Sequence, residues 1–335
     1  MSNIGIVVIG RNEGDRLIRC LKSIIQQLTN NLAIVYVDSG STDESVASAQ
    51  ALRVHTIELD LSIPFTMARG RNVGFNYLVN NFPAIQYVQF IDGDCELVEG
   101  WIESALARLE SDSDIAVVCG RRRERFPDAS LYNRLADIEW NTPIGEVTAC
   151  GGDILARAKA IREVEGYNQL LICGEEPEMC IRLRQKGWKI WRIDAEMTLH
   201  DAAMLRFRQF WIRSIRGGWA VAQGVAMYGD SPDQYKAREH FSGLLWGFIL
   251  PATAIGATWI TSGLSLVLFL AYPILTWKMY KWCRSRVNHS SDAVLYSLLT
   301  VISKPAQAFG QFKYWITRHC GGTINLIEYK NVQMK

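Results

Sequence analysis

Two aspartates one residue apart, Asp92-Gly93-Asp94, follow the apolar run Tyr87-Val88-Gln89-Phe90-Ile91. Paired carboxylates around a flexible glycine can share a hard divalent cation, Mg²⁺ or Mn²⁺, and through it hold a diphosphate. Alone, the same three residues are an ordinary acidic turn. Other chemistry-bearing residues stand at comparable places. Asp38 closes the run Ala33-Ile34-Val35-Tyr36-Val37, where a carboxylate can accept from a ribose hydroxyl or a base N–H, or cap the next helix. Arg69-Gly70-Arg71-Asn72 opens a helix just before the aspartates, which suits contacts to a nucleotide. Gly174-Glu175-Glu176-Pro177-Glu178 puts adjacent carboxylates in a helical first turn. The dipole favours negative charge there, and one of these groups can take a proton from a hydroxyl. Gly10-Arg11-Asn12-Glu13-Gly14 is not G-x-G-x-x-G, which disfavours a dinucleotide-binding dehydrogenase.

Such residues need a scaffold that gathers strand ends. Short apolar runs alternate with amphipathic stretches, the pattern of βα units on a largely parallel sheet. Strands are expected at Ile4–Ile9, 33–37, 54–59, 87–91 and 115–118, with helices over 17–25, from about Thr42, and from about Glu99. Residues 121–148 are less regular. Short strands follow at 147–149 and 154–156, then a helix over 177–186 and a strand over 189–193. In such a sheet ligands collect at the carboxyl ends of the strands, so Asp38, Asp92 and Asp94 point to one place.

The chain has 335 residues and a net charge of +2, so no global basic field marks nucleic acid as a partner. None of its eight cysteines shows C-x-x-C spacing. They read as small buried hydrophobes rather than a zinc site or a disulfide framework. Met1-Ser2-Asn3 leads straight into a strand without a basic n-region, so the catalytic part is expected to face the cytosol.

The final third differs. Phe241 to Trp277 holds no charged residue, and Thr261-Ser262-Gly263 splits it into 244–260 and 264–277. Lys278, Lys281, Arg284 and Arg286 follow, fitting a membrane hairpin over about 241–282 with both ends cytosolic. Residues 294–302 and 309–316 alternate apolar with polar or basic residues, as helices lying in a membrane interface or packed on the protein do.

Taken in order, Arg11-Asn12-Glu13, the stretch Val37 to Asp43, Ala68 to Gly74, Phe90 to Asp94, Gly151-Gly152-Asp153, and Gly174 to Glu178 followed by Arg182-Leu183-Arg184 and Gly187-Trp188 resemble the family 2 glycosyltransferases over roughly Ile4 to Gly224. The resemblance implies an α/β GT-A fold, Rossmann-like with a mostly parallel sheet. A catalytic domain over 1–235 would precede a membrane-associated helical region over 236–335. Asp38 and Arg71 would contact the nucleoside, and Asp92 and Asp94 the ribose, diphosphate and metal. Gly151, Gly152 and Asp153 would line the donor-sugar or acceptor pocket. Glu176 stands where the family has the aspartate of its E-D motif, making it or Glu175 the general base. His200 stands where related enzymes often place a third metal ligand. Arg213 and Arg216, with Trp219, would reach the diphosphate or lipid headgroups. The Q-x-x-R-W motif of processive synthases is absent around Gln209. The implied activity is inverting, non-processive transfer from a UDP- or GDP-sugar to a hydroxyl acceptor, expected to be lipid-linked, in cell-envelope, exopolysaccharide or glycolipid synthesis. It would take place at the cytoplasmic face of the cell membrane. A nucleotidyltransferase and a non-catalytic membrane scaffold are the alternatives.

Overall fold

The computed structural model describes residues 3–27, 33–231 and 235–321. The first unit takes in the chain to Arg125 and from Trp140 to Ala202, the second Phe126–Glu139 and the chain from Ala203 onward. Residues 232–234, beside the expected boundary at 235, and residues 322–335 lie outside the described residues.

The first unit begins β1 (Ile4–Gly10), α1 (Asp15–Gln27), β2 (Ala33–Asp38), α2 (Ser45–Ala51), β3 (His55–Glu58), α3 (Met67–Asn81), β4 (Tyr87–Asp92). The order β3-β2-β1-β4 is parallel throughout, with Ile9 in register with both Val37 and Asp92. Strands buried on both faces by helices read as continuous apolar runs, and β1 is buried from Ile4 to Ile9. Their carboxyl ends therefore lie side by side, with Asp38 and Asp92 on either side of β1.

Beyond β4 the chain adds β5 (Cys95–Leu97), α4 (Trp101–Ser111), β6 (Ile115–Glu124), α5 (Leu131–Glu139, which belongs to the second unit), β7 (Gly145–Val147), β8 (Ile154–Arg157), α6 (Ala158–Glu163), α7 (Glu175–Gln185) and β9 (Lys189–His200). β8 runs antiparallel between β4 and β6, and β6 pairs parallel with β9, so the sheet is mixed in an α/β fold. Both β6 and β9 run well past the apolar cores that marked them in sequence, to Glu124 and His200. Their charged halves pair with each other. Cross-strand ion pairs such as Arg123–Glu196 (2.9 Å) replace the apolar alternation that sequence reading relies on.

The second unit contains α5, α8 (Phe207–Tyr228), α9 (Ala237–Leu244), α10 (Leu250–Gly256), α11 (Ala271–Arg284), α12 (Ser290–Ile302) and α13 (Lys304–His319). α8 and α13 cross with backbones in contact: a Cβ on Gly218 would stand 2.0 Å from the Gln307 carbonyl oxygen, one on Gly310 2.0 Å from that of Ile215. α13 buries Ala306, Ala308, Gly310, Gln311 and Tyr314, so that face packs on protein. Arg213 pairs with Glu139 at 2.8 Å, and the buried Trp219 donates to Gln223.

The uncharged run, expected as a membrane hairpin that either spans or only dips into one leaflet, forms no transmembrane arm among the described residues. Among the described residues no helix is long and apolar enough to cross a membrane. The run folds instead as a π-helical turn at Leu245–Ile249, the two-turn α10, a bend through Ser262 and Gly263 at positive φ, a 3-10 stretch at Leu264–Leu270, and α11. A span needs about 20 residues of continuous helix, and these breaks interrupt the backbone ladder first.

Candidate active site

Backbone geometry first fixes where the acids stand. The N–H of Gly93 donates to the carbonyl of Ile9 at 2.7 Å, turning the chain at the end of β4 between Asp92 and Asp94. Thr66 caps α3 by accepting the Arg69 N–H at 3.1 Å, and the second turn carries Arg71. α7 opens at Gly174 in the left-handed region, φ 79°, which favours glycine, and sets Glu175 and Glu176 in its first turn.

These elements converge on Arg71, whose guanidinium is 1% exposed. One terminal nitrogen meets Asp92 at 2.8 Å, the other Glu175 at 2.8 Å and Glu176 at 3.1 Å. A buried guanidinium is sustained by such a fork of carboxylates, and the fork fixes their positions in return. The glutamates are not equivalent. Glu175 is sealed in at 1% exposure, whereas Glu176 retains 14%. Burial, followed by repulsion from Glu175, pushes the Glu176 carboxyl up to about 7, although Arg71 works against the shift. Gly152 completes this cluster. A Cβ there would stand 2.5 Å from Arg71 Nη2, 2.9 Å from Asp92 Oδ2 and 3.1 Å from Glu176 Oε1. Only glycine leaves the loop this close.

Asp153 is wholly buried. It accepts the Asp92 N–H at 3.1 Å and the Thr198 hydroxyl at 2.7 Å, and pairs with Arg122 at 2.7 Å. Its carboxylate thus anchors the end of β4 from beneath. Asp38 is also buried, accepting from the Tyr36 hydroxyl at 2.7 Å, the Gly40 N–H at 2.9 Å, and the Ser41 N–H and hydroxyl at 2.7 and 2.5 Å. It builds the turn after β2. Beside that turn, Arg11 lies over the Phe65 ring at 4.4 Å and donates to the Gly40 carbonyl.

Asp94 meets His200 from the end of β9, with Nε2 3.5 Å from Oδ2. The donor atoms of Asp94, His200 and Cys95 lie within 4.8 Å of one another, as do those of Asp92, Cys95 and Asp153. A carboxylate with an imidazole suits a divalent ion of the Mn²⁺ type. Burial, then Asp153, pushes the Cys95 thiol well up. His200 Nδ1 is buried without a hydrogen-bond partner, which leaves the ring ready to be oriented. The residues fit a divalent cation held by Asp94 and His200, with Asp92 alongside but engaged by two arginines, Arg71 and Arg122 (3.4 Å).

Sequence reading passed over Arg122 and Glu124. Both lie on the charged half of β6, two residues apart and so on one face of the strand. Arg122 bridges Asp92 and Asp153 and lies over the Trp140 ring at 5.5 Å. The available signal was the unbroken charged run Arg121-Arg122-Arg123-Glu124-Arg125 directly after an apolar strand.

Residues 5–163 match the family described as glycosyl transferase family 2. They belong to it. A pre-mycofactocin glycosyltransferase of Mycobacterium tuberculosis is 26% identical over 214 residues, 59% of this chain and 43% of its own length. The glycosyltransferase GlyA of Streptococcus pneumoniae is 32% identical over 121 residues, 34% of this chain and 16% of that protein. The chain thus spans under half the length of these relatives. Among solved structures, the mannosyltransferase PcManGT of Pyrobaculum calidifontis, in complex with GDP-Man and Mn²⁺, superposes with a TM-score of 0.60 at 18% identity, covering 91% of this chain and 86% of its own. Residues 1–349 of S. aureus TarS, in complex with UDP, superpose with a TM-score of 0.51 at 12% identity, covering 99% of this chain and 98% of that one. These likenesses show a GT-A-like α/β fold.

Proposed function

We propose that this family 2 chain is an inverting, non-processive glycosyltransferase that moves a sugar from a nucleoside-diphosphate sugar to a hydroxyl acceptor. The observation that carries the reading is Glu176: a partly open carboxylate held at about 7, joined through Arg71 to Asp92 at the end of β4. A base poised near neutral pH is suited to proton transfer in the transition state. In the reaction Glu176 takes the acceptor's hydroxyl proton while that oxygen attacks the anomeric carbon from the face opposite the diphosphate. The bond from the anomeric carbon to the diphosphate oxygen breaks, and the nucleoside diphosphate leaves with the electron pair. Glu175, sealed against Arg71, serves to position the fork.

Asp94 and His200, with Asp92, would hold a divalent cation, which when bound supplies positive charge to the leaving diphosphate. The Mn²⁺ and GDP-Man of the mannosyltransferase and the UDP of TarS support this class of donor and cofactor. Around it, Arg122 steadies Asp92, and the turn built by Asp38 with Arg11 over Phe65 offers the surface for the nucleoside.

The acceptor is read as lipid-linked and the enzyme as working at the cytoplasmic face of a membrane, in cell-envelope glycan, exopolysaccharide or glycolipid synthesis. Support comes from the second unit, where Trp259 and Ile260 are 94% and 85% exposed at the bend of an uncharged run followed by Lys278, Lys281, Arg284 and Arg286. A bend with short arms dips into an interface rather than spanning it.

The test is incubation of the full chain with UDP- and GDP-sugars, Mn²⁺ and polyprenyl-phosphate-linked or glycerolipid acceptors, with products separated by mass. A glycosylated acceptor of inverted anomeric configuration plus nucleoside diphosphate is expected. Release of pyrophosphate would identify a nucleotidyltransferase. Binding without turnover on every acceptor would point to a scaffold.

A further inference from the structure

The ring of His200 lies in a buried line of three side chains. β9 runs between β5 and β6, and the pairing puts His200 in register with Cys95 on one side and Glu124 on the other. Nε2 faces Asp94 Oδ2 at 3.5 Å, and Nδ1 faces Glu124 Oε2 at 3.6 Å. The edge of the Trp140 ring closes over the imidazole, centroids 4.8 Å apart and planes at 79°. The backbone pins both ends: the Arg125 N–H donates to the His200 carbonyl at 2.9 Å, and the Asp201 N–H to that of Asp94 at 3.0 Å.

The Glu124 side chain has no exposure at all. It accepts the N–H of Ala202 at 3.1 Å, a service that a neutral glutamine would perform equally well. The oxygen that accepts from Ala202, Oε2, is also the one that faces the His200 ring. The nearest ring nitrogen, His200 Nδ1, is buried and without a hydrogen bond. A carboxylate beside one ring nitrogen of a ligating histidine keeps the proton there, orients the ring and raises its basicity.

We propose that Glu124 is the positioning residue of this metal site: it holds His200 as the Nδ1–H tautomer, so that Nε2 presents its lone pair beside Asp94 to a divalent cation. The inference rests on the reading of Asp94 and His200 as ligands. Glu124 touches neither cation nor sugar in this scheme and acts only through His200. The strand order makes the arrangement possible. β6 supplies the orienting carboxylate, β9 the ligand and the turn after β4 the acid, three segments far apart in sequence.

Two measurements test it. The first is Mn²⁺ titration calorimetry on the full chain, its Glu124→Gln and Glu124→Ala variants, and Asp94→Ala. Glu124→Gln keeps the shape and the bond to Ala202 and is expected to weaken Mn²⁺ binding about 10–100-fold. The second is the ¹⁵N-histidine spectrum of the metal-free protein. It has five histidines, and the His200 signals are assigned with His200→Gln. Protonation at Nδ1 is expected in the wild type, with loss of that preference in Glu124→Gln. Mn²⁺ affinity in a folded Glu124→Gln within about twofold of wild type, or a wild-type His200 protonated at Nε2, would overturn the proposal. A carboxylate that only supported the fold would lower the melting temperature without moving the tautomer. Should both Glu124 variants fail to fold, the wild-type spectrum still decides. Unchanged Mn²⁺ affinity in Asp94→Ala would instead overturn the ligand reading on which the proposal rests.

Discussion

Glu176 is where burial and charge meet most sharply. Its carboxyl, pushed to about 7 by burial and by Glu175, must be ionised to act as the base. The rate kcat/KM is therefore expected to rise through pH 7 and level off above it. Glu176→Gln should lower kcat by ~10² or more while leaving donor affinity near wild type, and the rising limb should vanish. The same shift has a stability consequence. Between the unfolded carboxyl value of ~4.3 and about 7, the folded chain holds a proton that the unfolded chain has lost, so stability falls as pH rises through that window. The neutral glutamine escapes this loss. Melting curves at pH 5 and pH 8 should show Glu176→Gln gaining on the wild type at the higher pH. Equal offsets at both values would mean that Glu176 has an ordinary carboxyl.

Elements set the distances among these groups. The loop before β8 approaches the Arg71–Asp92–Glu176 cluster so closely that a methyl group at Gly152 would overlap Arg71 and Asp92 and crowd Glu176. Gly152→Ala is expected to cut kcat at least ~10-fold, the size of effect that sub-ångström misplacement of reacting groups produces. Its melting temperature should fall as well, because the buried Arg71 guanidinium must give way. Beneath the loop, Thr198 on β9 gives Asp153 one of its three partners. Thr198→Val removes a hydrogen bond from a buried carboxylate and should cost about 1–3 kcal/mol. Thermal unfolding reads this as a drop of several degrees. No change would mean that Arg122 and the Asp92 N–H suffice.

For the whole molecule, the unexplained surface is the bend of the second unit, where Trp259, Ile260 and Leu264 stand in the open. Uncharged residues there and cations just after them match the headgroup region of an anionic membrane. In vesicle flotation the full chain should rise with anionic vesicles more than with neutral ones, and less at high salt. Replacing Trp259 and Ile260 with aspartate should abolish flotation without lowering the melting temperature, since neither side chain is in the core. Flotation unaffected by the double substitution would separate membrane binding from the bend.

Motif order determined much by itself: the family, the parallel half of the sheet, and the position of Asp38, Arg71, Asp92, Asp94 and Glu176 near strand ends and helix starts. Those features are local, because an apolar run buries itself, a glycine-rich turn follows it, and a capped helix starts after that. Three things needed the tertiary structure. The charged halves of β6 and β9 become strands through long-range pairing, with each other and, at the end of β9, with β5, which hid Arg122 and Glu124. The roles within the site depend on which oxygens are already taken: Asp153 and Asp38 are occupied by the protein, while Glu176 keeps an open side. The uncharged run had the hydropathy of a membrane span, yet hydropathy counts side chains and not backbone breaks. The π-helical turn, the bend at Gly263 and the 3-10 stretch shortened its helices. Composition records what a segment would bury, and only packing and backbone continuity decide against what.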